Sequence, residues 1–93
     1  MNSNELGNVK EVAGFLALIR DAELIEDFLR CLLTNNELNE IDRRWELVKR
    51  LDRGISQRQI ARDLGMSLCK ITRGSKELKK QNSAFKRILQ KYC

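Results

Sequence analysis

Between Gln57 and Ser75 the chain reads QRQIARDLGMSLCKITRGS, a stretch whose polar residues are those that grip polyanions. Arg58, Arg62 and Lys70 supply cationic donors, and Gln57 and Thr72 supply uncharged ones. Arginine pairs in a fork with guanine or meets a phosphate; the first contact specifies a sequence, the second only positions the protein. Arg58 and Gln57 can reach a base or a phosphate, and Arg58 can pair with guanine; Arg62 suits phosphate. Lys70 and Thr72 reach either. Leu68 and Cys69 suit apolar contact with thymine methyls. A second constellation is Arg44 with Arg73 and the adjoining Gly74. A space flanked by two guanidinium groups fits a flat molecule carrying a carboxylate, because arginine stacks on aromatic faces and forks onto carboxylates. Glycine at 74 also permits close helix contact, and spacing alone favours that explanation.

These side chains need elements to hold them. The chain contains no proline, and its apolar residues recur at helical spacing rather than in alternation. Val9, Val12, Phe15, Leu16 and Ile19 predict a first helix. Leu24, Ile25, Phe28, Leu29, Leu32 and Leu33 predict a second, apolar enough to be widely buried, with Asp21 capping the break. Thr34-Asn35-Asn36-Glu37 is a capping box. The helix after it carries Leu38, Ile41, Trp45, Val48 and Leu51, and ends near Arg53-Gly54. Ser56 to Gln59 forms a second capping box, opening a short helix that Gly65 stops. Ser67 caps a fifth helix, and Asn82 or Ser83 starts the last, with Phe85, Ile88, Leu89 and Tyr92. Six short-linked helices make an all-α domain.

The fourth and fifth helices have the makings of a helix-turn-helix. Two short helices that cross steeply need a small residue at the contact, which is Ala61, and a glycine to turn in few residues, which is Gly65. Ile60, Leu64, Met66 and Ile71 occupy the places that lock the pair to the rest. The helix from Leu68 to about Lys80 then reads the major groove, and the one before it crosses the backbone.

Charge is divided along the chain. Residues 1–42 hold three basic residues against nine carboxylates, and residues 43–80 hold twelve against four. A basic segment of this kind is the electrostatic footprint of a nucleic-acid binder. The 93 residues include no histidine, no glycine-rich phosphate loop and no nucleophile beside a base, which argues against an enzyme. Cys31, Cys69 and Cys93 lack the spacing of a zinc site or a disulfide framework and fit a reducing cytosol, with Cys31 a buried small hydrophobe. The opening MNSNELGNVKE is acidic and lacks a cleavage signature, so no signal peptide is expected, nor any membrane span; the expected location is cytoplasmic. A chain this short buries a modest core and predicts a partner copy.

LLTNNEL, then RRW followed by LV, then RGISQRQIA and ITRGSKELK resemble the trp repressor family from about Leu32 to Lys80. The resemblance implies an intertwined all-α homodimer of six helices per chain, which L-tryptophan, as corepressor, activates to bind double-stranded operator DNA and repress tryptophan-related genes. Residues 1–93 then form a single domain, with dimerisation helices over 1–53, a helix-turn-helix over 56–80 and a C-terminal helix over 82–93. By position, Arg44 and Arg73 match the arginines that sandwich the indole. Leu33 and Thr34 match the turn that meets the ligand's ammonium, and Cys31 falls where another backbone carbonyl serves it. Val48 and Gly74 match pocket-lining places. Arg58 and the stretch Leu68–Thr72 match DNA-contacting places.

Three departures stand out. Glu77 lies where some members have a small residue; its carboxylate either pairs with the ligand's ammonium or bridges Arg44 or Arg73 and fills the site. Gly54-Ile55-Ser56 is one residue shorter than the usual turn. Ala61 replaces a basic residue of some relatives. Alternatives therefore stay open: a helix-turn-helix regulator that ignores tryptophan or takes another ligand, and an interaction module using its acidic first helices.

Overall fold

Side-chain caps punctuate the chain. The Asp21 carboxylate accepts from the backbone N–H groups of Glu23 and Leu24 at 3.1 and 3.2 Å. Thr34 and Glu37 complete a reciprocal box, at 2.8 Å from Thr34 N–H to Glu37 Oε1 and 3.1 Å from Glu37 N–H to Thr34 Oγ1. Ser56, Ser67 and Ser83 each accept from the N–H three residues on. Each such cap contributes about 1 kcal/mol by satisfying a donor that the helix leaves orphaned. At Ser56 only the serine half of the expected box forms.

The computed structural model describes residues 6–93. The helices so delimited are α1 (Gly7–Leu16), α2 (Ala22–Leu32), α3 (Asn35–Asp52), α4 (Gln57–Leu64), α5 (Leu68–Lys79) and α6 (Ala84–Tyr92), with no strand among the described residues. The expectation that Met1–Glu5 open no cleavable leader falls outside the described residues. Helix α1 ends before Ile19, which its periodicity had included, and Leu33 serves as the C-cap of α2 rather than as its last turn. No helix among the described residues is long and apolar enough to cross a membrane.

The chain divides into two compact units, one up to Leu38 and one from Asn39 to Cys93. In the first, α1 and α2 meet through an edge-to-face contact of Phe15 and Phe28, with centroids 5.3 Å apart. Neither helix has a buried residue. This corrects the expectation of a widely buried α2: Leu24 and Leu32 are more than half exposed. Cys31, expected inside, is exposed as well. Two helices alone cannot enclose an apolar face, since each covers only one stripe of the other.

The second unit has the core. Leu47 of α3, Ile60 of α4 and Ile71 of α5 are buried together, with Leu51, Ile55, Ala61, Leu64 and Met66 packed around them. Ile60 and Ile71 are wholly enclosed. The four lock residues of the sequence reading are therefore all at this core. On α3 the buried pair is Leu47 and Val48, whereas Ile41, counted in the expected stripe, is 46 % exposed. Trp45 meets Phe85 of α6 at 6.4 Å between centroids.

Gly74 explains how closely α5 approaches α3. A Cβ built there stands 3.1 Å from Leu47 Cδ2 and 3.7 Å from Leu51 Cδ1. The glycine costs its helix about 1 kcal/mol relative to alanine, and the close contact of a core leucine offsets that.

Truncating Ile60 to alanine removes one of the two wholly enclosed side chains of the core and lowers unfolding stability by about 2–5 kcal/mol. Gly74→Val, which forces two methyls toward Leu47, costs about 1–3 kcal/mol. Urea denaturation followed by circular dichroism checks both; an unchanged midpoint for Ile60→Ala contradicts the packing described.

Candidate nucleic-acid interface

Helices α4 and α5 are joined by a three-residue turn set by a left-handed glycine. Gly65 adopts φ 61° and ψ 35°, a conformation that a side chain penalises. Its N–H returns to the Ala61 carbonyl, as does that of Met66 at 3.3 Å. Ser67 then caps α5. Small residue, glycine and cap thus stand where a helix-turn-helix needs them, with Ile60 and Ile71 anchoring one helix each.

Helix α3 holds this turn from the side. Arg43 donates from Nη2 to the carbonyls of Leu64 and, at 3.2 Å, Gly65. These are C-terminal carbonyls of α4, left free by helix geometry and carrying its negative dipole end, so a guanidinium there is favoured twice. One turn further along α3, Glu46 binds Arg50 at 2.8 Å and Lys49 at 3.2 Å, and Arg50 reaches Asp63 of α4 at 3.4 Å. The Arg50 hydrogen bond first, and then that of Lys49, holds the Glu46 carboxyl below its usual 4.5.

Leu68, Cys69, Thr72, Arg73 and Lys76 line one open face of α5. Their offsets of one, four, five and eight from Leu68 keep them on one side of a helix. Leu68 is 53 % exposed, an apolar side chain held toward solvent at the helix's N-terminal end. Thr72 donates to Gln57 Oε1 at 3.3 Å, tying the first residue of α4 to this face. Arg58 and Arg62 are exposed on α4. The structure thus gathers Leu68, Cys69, Thr72 and Gln57, and adds Lys76, which sequence reading overlooked although it stands four residues beyond Thr72.

Lys70 stands apart from that face. Its ammonium lies 3.1 Å from Glu40 Oε1, on the side of α5 toward α3. The second Glu40 oxygen lies 3.4 Å from Nε of Arg44. Lys70, chiefly through its hydrogen bond, and then the nearby arginines hold the Glu40 carboxyl below the usual 4.5. Glu40 and Arg43 also went unnoticed in the sequence, because a charged residue on an exposed helix turn has no pattern until its partner's place is known.

The residues matched to a ligand site divide between the two units. In the first, Leu33 is half-buried and extended at φ −108°, Thr34 caps α3, and Cys31 is exposed. In the second, Val48 is buried, Arg44 contacts Glu40, and Arg73 belongs to the open face of α5. Gly74 faces Leu47. Glu77 pairs with Lys80 at 3.0 Å and bridges neither Arg44 nor Arg73. No group of acidic residues and cysteines among the described residues is placed to hold a metal ion.

Comparison with known proteins gives the same family as the sequence motifs. The family model described as Trp repressor protein matches residues 8–93. A Trp operon repressor homolog of Chlamydia caviae is 33 % identical over 90 residues, covering 96 % of this chain and 86 % of that protein. One from Chlamydia trachomatis serovar L2 is 34 % identical over 70 residues, 74 % of each chain. One from Vibrio parahaemolyticus is 39 % identical over 67 residues, 71 % of this chain and 65 % of that protein. No solved structure matches significantly.

Because its ion pairs lower the Glu46 pKa on folding, the linked stability is present above about pH 4.5 and is lost as pH falls through the lower folded value. Glu46→Gln therefore lowers the Tm at pH 6, and the difference from the unsubstituted protein narrows as pH falls below 4.5. A Tm difference that stays constant across this range contradicts the network.

Proposed function

This chain belongs to the Trp repressor protein family, and from that premise we propose that it is a DNA-binding transcriptional repressor for which L-tryptophan is the corepressor. The observation that carries the DNA reading is the open face of α5 beside a glycine turn, with Arg58 and Arg62 exposed on the preceding helix. Leu68, Cys69, Thr72 and Arg73 meet base edges or adjoining backbone, with Gln57 held to Thr72 at the same end. Arg58 reads a guanine. Arg62 meets phosphate, supplying affinity without sequence information.

The protein acts as a homodimer in the cytoplasm. Helices α1 and α2 bury no residue in the single chain, and a second copy supplies the surface that closes over them. Two reading heads related by a two-fold axis then require a palindromic operator whose half-sites lie about one helical turn apart.

Arg44 and Arg73 receive the ligand's indole and carboxylate. Leu33, Thr34, the Cys31 carbonyl, Val48, Gly74 and Glu77 are the further candidates carried by the family's motif. Tryptophan acts only through tighter binding to the DNA-competent state, and DNA in turn raises tryptophan affinity by the same factor. One observation favours a second reading, a regulator indifferent to tryptophan: Arg44 already has a carboxylate partner in Glu40.

Selection of binding sites from random duplexes yields a palindrome. On the selected duplex Arg58→Ala costs about 1–3 kcal/mol and relaxes one position, whereas Arg62→Ala weakens every duplex alike and reduces the salt slope by about one. Enrichment of no sequence at all sinks the repressor reading.

Calorimetric titration with L-tryptophan separates the two regulators. A saturating heat at about one ligand per chain, lost in Arg44→Ala and Arg73→Ala, supports the corepressor. Absence of heat at several temperatures transfers the proposal to the tryptophan-independent regulator.

A further inference from the structure

Lys70 is a cation at the DNA-reading end of α5, yet its charge is already engaged. Glu40 presents one carboxylate oxygen to Lys70 at 3.1 Å, while the other lies 3.4 Å from Arg44. The carboxylate is thereby fixed between two cations, as a phosphate is fixed between two basic side chains. Its place is also fixed, because Arg43, three residues further along α3, binds the carbonyls of the α4–α5 turn. Arg43, Glu40 and Lys70 together line a shallow cleft between α3 and that turn.

We propose that Glu40 is a built-in competitor for the DNA backbone, occupying Lys70 so that the protein's sequence-independent attraction to phosphate is held down. The inference rests on the DNA-binding reading above. Lys70 meets a phosphate only by leaving Glu40. The charge that DNA gains is then partly cancelled by the carboxylate left exposed, which attracts counterions back as DNA sheds them. Glu40 therefore lowers both affinity and its dependence on salt. Glu40 and Lys70 are each partly exposed, at 39 % and 51 %. Exposed pairs are weak, so the competitor acts as a brake rather than a lock, with an effect of about two- to five-fold.

The test is fluorescence anisotropy with a mixed-sequence duplex between 50 and 200 mM salt, using the full chain. Glu40→Gln is expected to raise affinity by about two- to five-fold at the low-salt end. It is also expected to steepen the slope of log K against log salt by up to about 0.9, the contribution of one phosphate contact. Asp42→Asn removes the same charge from the same helix and serves as the control; it leaves the slope nearly unchanged. Lys70→Gln flattens the slope, and adding Glu40→Gln to it has no further effect. Circular dichroism verifies that each variant keeps its helices.

Equal slopes for the unsubstituted protein and Glu40→Gln overturn the proposal. So does a gain that persists in the Lys70→Gln background, or one matched by Asp42→Asn, since either marks a general charge effect. Loss of all duplex affinity in the unsubstituted protein at 50 mM salt removes the DNA-binding reading and this inference with it. Binding with an unmoved slope removes only Glu40.

Discussion

Burial of Ile60 against Ile71 and Leu47 is the constraint from which the second unit is built. These three side chains come from three helices and meet at one point, and the two isoleucines are wholly enclosed. A short helix such as α4 has no stability of its own in water. Its eight residues stay helical because one face is pinned to this point and because Ser56 and Gly65 close its ends. The same pinning sets the angle at which α5 leaves the turn, and so which of its residues stay in solvent.

Electrostatics refine what packing establishes. Helix α3 contributes Arg43 to the carbonyl end of α4, Arg50 to Asp63, and Glu40 to Lys70. These contacts differ in kind. Arg43 bonds to neutral backbone groups left over at the end of a helix, whereas Glu40 and Lys70 are bound by an attraction that any polyanion can contest. One helix thus provides a permanent support and an exchangeable one to the same turn.

Much of this was legible in the sequence, for definite reasons. Caps at Asp21, Thr34, Ser56 and Ser67, the turn glycine at 65, and a last helix start narrowed to Asn82 or Ser83 are local signals, and a local signal needs no knowledge of the fold. The lock residues Ile60, Leu64, Met66 and Ile71 were legible because a helix-turn-helix dictates their spacing. Leu47 was missed because helical spacing defines a broad stripe, and only the approach of α5 at Gly74 selects which leucine on α3 becomes core. The turning of Lys70 away from the open face of α5 was equally hidden. Its neighbours in sequence place it among Leu68, Cys69 and Thr72, and Glu40, thirty residues earlier, draws it elsewhere. Pairings at such separation leave no trace in composition or period. The burial expected for α2 and Cys31 failed for a different reason: hydrophobicity reveals that a surface requires a cover without saying that the same chain supplies it.

The order of the helices has a bearing on time as well as on form. In the second unit α4 packs on α5 and α5 on α6, so each of these helices finds its partner next door along the chain. Assembly from near neighbours closes short loops, loses little chain entropy before contacts form, and proceeds rapidly. The second unit can then take shape soon after its last helix is synthesised.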